Sequence, residues 1–380
     1  MAAKERSLEE VKNEIRRRAG RVNPFERTRK EDVEEVLARL NSLDPDLWGR
    51  EWGKIGARYE ALASEQEQKG QSNAAGDLYY LAYEYYRIGR YPVPSSPEKM
   101  SCYRGALRSF LKAGKYLDPP VERIEIPFEG KKVVGYLQVP RGGVARPPIV
   151  MHWGGVDGWK EDSRGQNEAL HRRGLATFVI DMPGAGENPL LGQEPGAERT
   201  FSAAIDYLED RSDIDGQRIA VMGRSFGGYW AAKLAYVEAK RLKGAVNWGA
   251  GLHYTFQPEW LRPALTERAS QYLMAPASLL DSRSYIFRVK TLEEVLEIAP
   301  QLSLKTQGLL DRPSAPLLFV NGKHDDQHPV EDIYLALEHG DPKEARIFAD
   351  GGHMGRVPGR RNDEALSVAT GWLYRRLHSV

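Results

Sequence analysis

The chain has 380 residues and carries 54 Lys+Arg against 53 Asp+Glu, a formal net charge of +1. That balance creates no global field for nucleic acid or an anionic membrane, and the length allows two or three domains with a large core. The lone cysteine, Cys102, excludes an intrachain disulfide and a multi-cysteine metal site. Met1 to Ser7 are charged and lead into an amphipathic stretch, and no segment reaches the ~18 apolar residues of a membrane span, so a cytoplasmic location is expected.

Residues 1 to about 117 have apolar positions recurring at three and four, which predicts helices over Leu8–Ala19, Lys30–Leu43, Leu47–Lys69, Asn73–Gly89 and Pro97–Leu117. Tyr91-Pro92-Val93-Pro94 breaks the last two into an antiparallel pair, and no clear period marks a repeat array. The expected organisation is an α-helical N-terminal domain over 1–117 and a second domain over 118–380. Tyr79, Tyr80, Tyr83, Tyr85 and Tyr86 read as interhelical core, with contact to a substrate as the alternative.

From Val121 the pattern alternates: Val121–Pro127, a Glu129-Gly130 turn and Lys132–Val139 predict a β-hairpin. Strands are then predicted at Pro148–Met151, Leu175–Ile180, Ile219–Met222, Gly244–Trp248, Pro316–Val320 and Ala345–Phe348, before a helix over about 362–377. Strands alternating with helices imply a mainly parallel α/β sheet covered on both faces, with active residues at the C-terminal strand ends. The interval 249–315 far exceeds the ~10 to 12 residues of a crossover and reads as a lid, with helix-like runs at Ala264–Tyr272 and Thr291–Ala299. Its Leu252, Tyr254, Phe256, Trp260 and Leu261 supply apolar surface, so lid and N-terminal domain are expected to enclose a fairly apolar pocket.

The chemistry lies at those strand ends. Gly223-Arg224-Ser225-Phe226-Gly227 places a serine in a sharp strand-to-helix turn, where small flanking residues are needed and the next amide, Phe226, faces a developing oxyanion. The second oxyanion donor is expected from Gly154-Gly155-Val156, as the amide of Gly155 or Val156, with a plain glycine turn as the bland alternative; His152 reads as structural. A nucleophilic serine needs an acid and a base, and both follow in the order Ser, Asp, His. Asp325 after Gly322 is the favoured acid, although a one-residue shift of the turn would exchange it with Asp326. His353 after Gly351-Gly352 is the base.

Together these motifs resemble the α/β-hydrolases over about 120–380, the Asp181-Met182-Pro183-Gly184-Ala185-Gly186 turn included. The helical extension, Gly-Arg-Ser-x-Gly-Gly and Gly154-Gly155 followed by Lys160-Glu161 are similar to a narrower group. That group contains 2,6-dihydropseudooxynicotine hydrolase, the fermentation-respiration switch esterase and fungal polyketide-shortening hydrolases. The resemblance implies cleavage of an ester or, in two branches, of a carbon–carbon bond beside a ketone, with no metal and no organic cofactor. In the carbon–carbon branch an added carboxylate near the lid start assists. Trp248-Gly249 matches the landmark there, the residues after it depart from the pattern, and Glu259 is the candidate, with His253 and Trp260 as further substrate-binding candidates.

The expected partners are a small-molecule substrate and a second copy in a homodimer, with no nucleic acid and no membrane. Two readings stand beside the serine hydrolase. An acylaminoacyl-type peptidase would usually carry a β-propeller where this chain has helices, and a regulatory binding protein should have lost one of Ser225, Asp325 and His353.

Overall fold

A computed structural model of the chain describes residues 6–194, 196–268, 273, 277–357 and 363–379. They form two compact units, one of Met1–Val121 with Ala269–Tyr285 and one of Glu122–Arg268 with Ile286–Val380. The first unit thus reaches past residue 117, because the Val121 amide donates to the Gly114 carbonyl at 2.9 Å. It also takes in part of the interval expected to be lid.

The first unit holds α1 (Leu8–Arg18), α2 (Lys30–Arg39), α3 (Pro45–Gln68), α4 (Ser72–Arg90) and α5 (Pro97–Gly114). Ser7 and Glu10 close a capping box on α1, while Asp44 and Ser96 cap α3 and α5 just ahead of prolines at the first helical position. α2 stops at Arg39 instead of Leu43, since Ser42 and Asp44 spend their side chains on backbone amides of the next turn. α4 and α5 meet so closely that a Cβ on Gly89 would lie 2.4 Å from Cys102 Sγ, and burial pushes that thiol up to about 12. All five predicted core tyrosines are buried. Tyr85 and Tyr59 donate to buried Asp32 at 2.6 and 2.7 Å, and Arg58 pairs with the same carboxylate.

The second unit is built on an eight-stranded sheet: β1 (Glu122–Phe128), β2 (Lys131–Gln138), β3 (Pro148–Trp153), β4 (Ala176–Ile180), β5 (Asp215–Arg224), β6 (Leu242–Trp248), β7 (Leu317–Gly322) and β8 (Lys343–Phe348). Their spatial order is β1-β2-β4-β3-β5-β6-β7-β8, antiparallel as far as β4 and parallel from there on. β3, β4 and β7 are buried along their whole length, as strands covered on both faces must be. The helices are α6 (Arg164–His171), α7 (Arg199–Glu209), α8 (Gly227–Val237), α9 (Pro258–Thr266), α10 (Ala277–Phe287, which starts in the first unit), α11 (Leu292–Ile298), α12 (Glu331–Glu338) and α13 (Asp363–His378). Val150, Met222, Val246 and Leu318 from the sheet pack with Leu170 of α6 and Trp372 of α13. The chain runs from β3 to its neighbour β4 on one side and from β4 crosses back past β3 to β5 on the other, so a crevice opens at the C-terminal ends of β3 and β5.

Within 249–315 the helix expected at Ala264–Tyr272 forms earlier, as α9, because Pro258 starts it; residues 269–272 of that expectation lie outside the described residues. No described helix is long and apolar enough to cross a membrane.

Replacing Asp32 with alanine takes the acceptor from two buried tyrosine O–H groups, at ~1 to 3 kcal/mol each, although Tyr85 Oη still accepts from the Arg29 amide. Thermal unfolding followed by circular dichroism should show a midpoint several degrees lower, whereas Glu31→Ala at the exposed neighbouring position should leave it in place. Equal shifts for the two variants would remove the Asp32 network as a support of the helical unit.

Candidate active site

The serine turn is set by backbone contact. A Cβ on Gly223 would lie 2.0 Å from the Gly227 carbonyl oxygen, and one on Gly227 would lie 2.1 Å from that of Gly154. With β5, α8 and the loop after β3 this close, Ser225 is forced to φ +51, a strained value for a residue with a side chain. Its amide donates to the Trp248 carbonyl at 2.8 Å, and Trp153 Nε1 donates to the Gly227 carbonyl at 2.7 Å. Strain on one residue is thereby held by strands on either side.

His353 opens a short turn after Gly351 and Gly352. Its Nε2 lies 2.8 Å from Ser225 Oγ and its Nδ1 2.9 Å from Asp325 Oδ2. Asp325 Oδ2 also accepts from Asn321 Nδ2 at 2.8 Å, while Oδ1 accepts from the amides of Gln327 and His328 at 2.8 and 3.2 Å. An ionised Asp325 makes Nδ1 the protonated nitrogen, which leaves Nε2 to accept from the serine hydroxyl. Burial works to raise the Asp325 carboxyl, but the charge and hydrogen bond of His353, then His328 and the Gln327 amide, hold it down at about 2. Asp326, which the sequence left open as the acid, makes no hydrogen bond to His353; burial and the adjacent Asp325 push its carboxyl up.

The loop after β3 passes directly over the serine. A Cβ on Gly155 would come 2.8 Å from Ser225 Cβ and 3.2 Å from its Oγ, so only glycine leaves the hydroxyl room. Neither the Gly155 nor the Val156 amide donates to an acceptor among the described residues. Phe226, whose amide lies at the start of α8, is buried against Tyr229, Phe256 and Phe287. His152 is fully buried, and its Nε2 lies 2.7 Å from Asn167 Oδ1. Burial lowers it to about 3, so the neutral ring serves structure, as expected.

The three substrate-binding candidates join other groups. His253 Nδ1 is 2.7 Å from Ser303 Oγ, and Trp260 Nε1 donates to the Gln327 carbonyl with Arg268 stacked 3.8 Å from its ring centre. Glu259 is exposed in the first turn of α9 and lines a groove of about 560 Å³ with Tyr254, Trp260 and Tyr334, a groove that none of Ser225, Asp325 and His353 lines. Sequence reasoning missed Asn321, whose Oδ1 also accepts from the Met354 amide at 2.9 Å, although an amide ending an apolar strand beside the acid loop was a usable signal. It also missed buried Asp332, which accepts from the amides of His253, Tyr254 and Thr255 at 2.7 to 3.0 Å. Among the described residues no His, Cys, Asp and Glu group could hold a metal ion.

The esterase FrsA-like family profile matches residues 11–377. The chain belongs to the FrsA-like esterase family. It is similar to esterase FrsA of Vibrio cholerae serotype O1, 27% identical over 369 residues that cover 90% of this chain and 83% of that one. It is also similar to 2,6-dihydropseudooxynicotine hydrolase of Paenarthrobacter nicotinovorans, 28% identical over 293 residues covering 77% and 74%, and to 20-hydroxy-prefusarin hydrolase of Gibberella moniliformis, 26% identical over 344 residues covering 82% and 81%. A crystal structure of 2,6-dihydroxy-pseudo-oxynicotine hydrolase shares the fold at a TM-score of 0.75 and 24% identity, covering 92% of this chain and 93% of that one. This FrsA-like chain is therefore a hydrolase of the α/β-hydrolase fold with an N-terminal helical region.

A carboxyl held near 2 in the folded hydrolase, against ~3.9 when unfolded, stabilises above the unfolded value and loses that contribution as pH falls toward 2. Urea denaturation should therefore find wild type ahead of Asp325→Asn at pH 6, and the gap should shrink by pH 3. A gap that stayed constant over that range would contradict the depressed carboxyl.

Proposed function

We propose that this FrsA-like hydrolase is a serine hydrolase that cleaves an ester, or a carbon–carbon bond beside a ketone, in a medium-sized and largely apolar or aromatic small molecule, through an acyl-enzyme. The reading rests on the hydrogen-bonded series Ser225, His353, Asp325 lying beside two undonated amides. His353 Nε2 takes the proton as Ser225 Oγ attacks the carbonyl carbon, and Asp325 stabilises the imidazolium that forms. The carbonyl oxygen becomes an oxyanion and receives hydrogen bonds from the Phe226 amide and from Gly155 or Val156, donors fixed before the charge appears. Collapse returns the proton from His353 to the leaving group, the alkoxide of an ester or the enolate carbon of a ketone. A water activated by His353 then releases the acid product and restores Ser225. The names of the curated relatives, an esterase and two small-molecule hydrolases, favour this substrate class over a peptide.

Ser225→Ala should retain its fold and lose about a thousandfold or more in turnover on a panel of acyl esters, acyl amides and β-diketones. An alkyl fluorophosphonate should lose fluoride and add the mass of its phosphonyl group to wild type and not to the variant. Turnover near wild type in folded Ser225→Ala would end the proposal.

Asp325→Asn should depress kcat far more than Asp326→Asn, because only the partner of Nδ1 holds the His353 tautomer. The opposite ranking would move the acid role to Asp326.

A further inference from the structure

Beyond the loop that carries Gly155 and Val156, the fold buries a lysine among three carboxylates. The Lys160 ammonium is 0% exposed and lies 2.9 Å from Glu161, 2.8 Å from Asp181 and 2.9 Å from Glu187, of which Glu187 is 25% exposed. Asp181 does more than pair with it. Its Oδ1 accepts from the Lys160 amide and its Oδ2 from the Glu187 amide, both at 2.9 Å, and its own carbonyl accepts from Asn188. Gly186 stands at φ +50, where a Cβ would lie 2.0 Å from Asp181 Oδ2. Tyr136 of β2 donates to Glu161 at 3.0 Å, and burial pushes the Glu161 carboxyl up. The knot therefore joins β2, the loop after β3 and the loop after β4.

Stability alone gives such a knot little reason to exist. Desolvating four ionisable groups largely cancels their attraction, and apolar packing of the same volume holds a fold as well or better. What apolar packing cannot supply is direction, and here carboxylate oxygens hold individual backbone amides. The knot also leads to the serine. Trp159 adjoins Lys160, its Nε1 donates to the Val156 carbonyl at 3.4 Å and its amide donates to Asp162 at 2.8 Å. Arg224, the residue before Ser225, donates to the Asp162 carbonyl at 3.4 Å. Both ends of the oxyanion segment are thus anchored: Gly154 packs against Gly227, and Asp181 holds the amide and the ammonium of Lys160, next to Trp159.

We infer that Lys160 is a positioning residue, which with Asp181 fixes the orientation of the Gly155 and Val156 amides toward the oxyanion formed at Ser225. The inference rests on the serine-hydrolase reading. Loss of the lysine leaves substrate binding in place and weakens hydrogen bonding only where charge develops, so the defect falls on kcat.

The first test uses Lys160→Met, and Lys160→Met combined with Glu161→Gln, which removes one charge of each sign. Each should keep KM within about threefold and lose on the order of a hundredfold in kcat, comparable to removing one oxyanion donor. A trifluoromethyl ketone, whose hemiketal with the serine carries the oxyanion, should lose affinity in parallel, while a non-covalent substrate analogue should bind as before. Asp181→Asn combined with Lys160→Met should lose less kcat than the two single losses multiplied together, since the two side chains share one contact beside the amides that Asp181 holds by itself. Wild-type kcat in the variants, undiminished trifluoromethyl ketone affinity, or failure of the charge-balanced variant to fold would each overturn the inference. Active Ser225→Ala would instead remove the serine reading beneath it.

Discussion

Direct contact between backbones at the crossing of β5, α8 and the loop after β3 is the constraint on which the rest of the second unit depends. Gly223, Gly227 and Gly154 stand where any side chain would collide with a carbonyl, so the three segments approach to a separation no other residue permits. That separation forces Ser225 into positive φ and lifts its hydroxyl clear of the sheet. It also brings the Gly155 backbone within reach of the same hydroxyl. One steric condition thus sets both the strained turn of Ser225 and the glycine loop that passes over it.

The loops that carry Asp325 and His353 are coordinated by different means. They leave neighbouring parallel strands, β7 and β8, and Asn321 bridges them with one amide group, donating to Asp325 and accepting from Met354. Trp248 at the end of β6 donates to the Met354 carbonyl at 2.9 Å, so the strand that supports the Ser225 amide also supports the His353 turn. Asp332 then holds the turn that follows β6 through three amides. A displacement of any one of these strand ends would be felt by all three members of the series.

Features set by local chain chemistry were legible in the sequence. The hairpin, the parallel strands and the five N-terminal helices announce themselves by periodicity, and Ser225, His353 and Gly155 by glycines whose spacing serves close approach. What needed three dimensions was pairing. Asp325 and Asp326 are adjacent and chemically alike, and only the turn decides which carboxylate meets His353. Lys160 and Asp181 each stood in a visible motif, yet nothing in a linear chain says that residues 21 positions apart share a buried hydrogen bond. Glu259 is a candidate through the resemblance, as a carboxylate near the lid start, and nothing in the linear chain shows that Asp332 holds the amides of the preceding turn, from His253 to Thr255. α10 was missed because its apolar residues are spread around the helix and give no one-sided spacing.

Cys102 has a practical consequence of its own. Packed against Gly89 with its thiol pushed up to about 12, the sole sulfhydryl of the chain is neither exposed nor ionised near neutrality. The wild-type protein is in effect already a cysteine-free background for maleimide chemistry. A single cysteine introduced on the surface, beside the groove of Tyr254 and Tyr334 or along α11, would take a fluorophore or spin label alone, and its signal would report on that place without prior engineering of the scaffold.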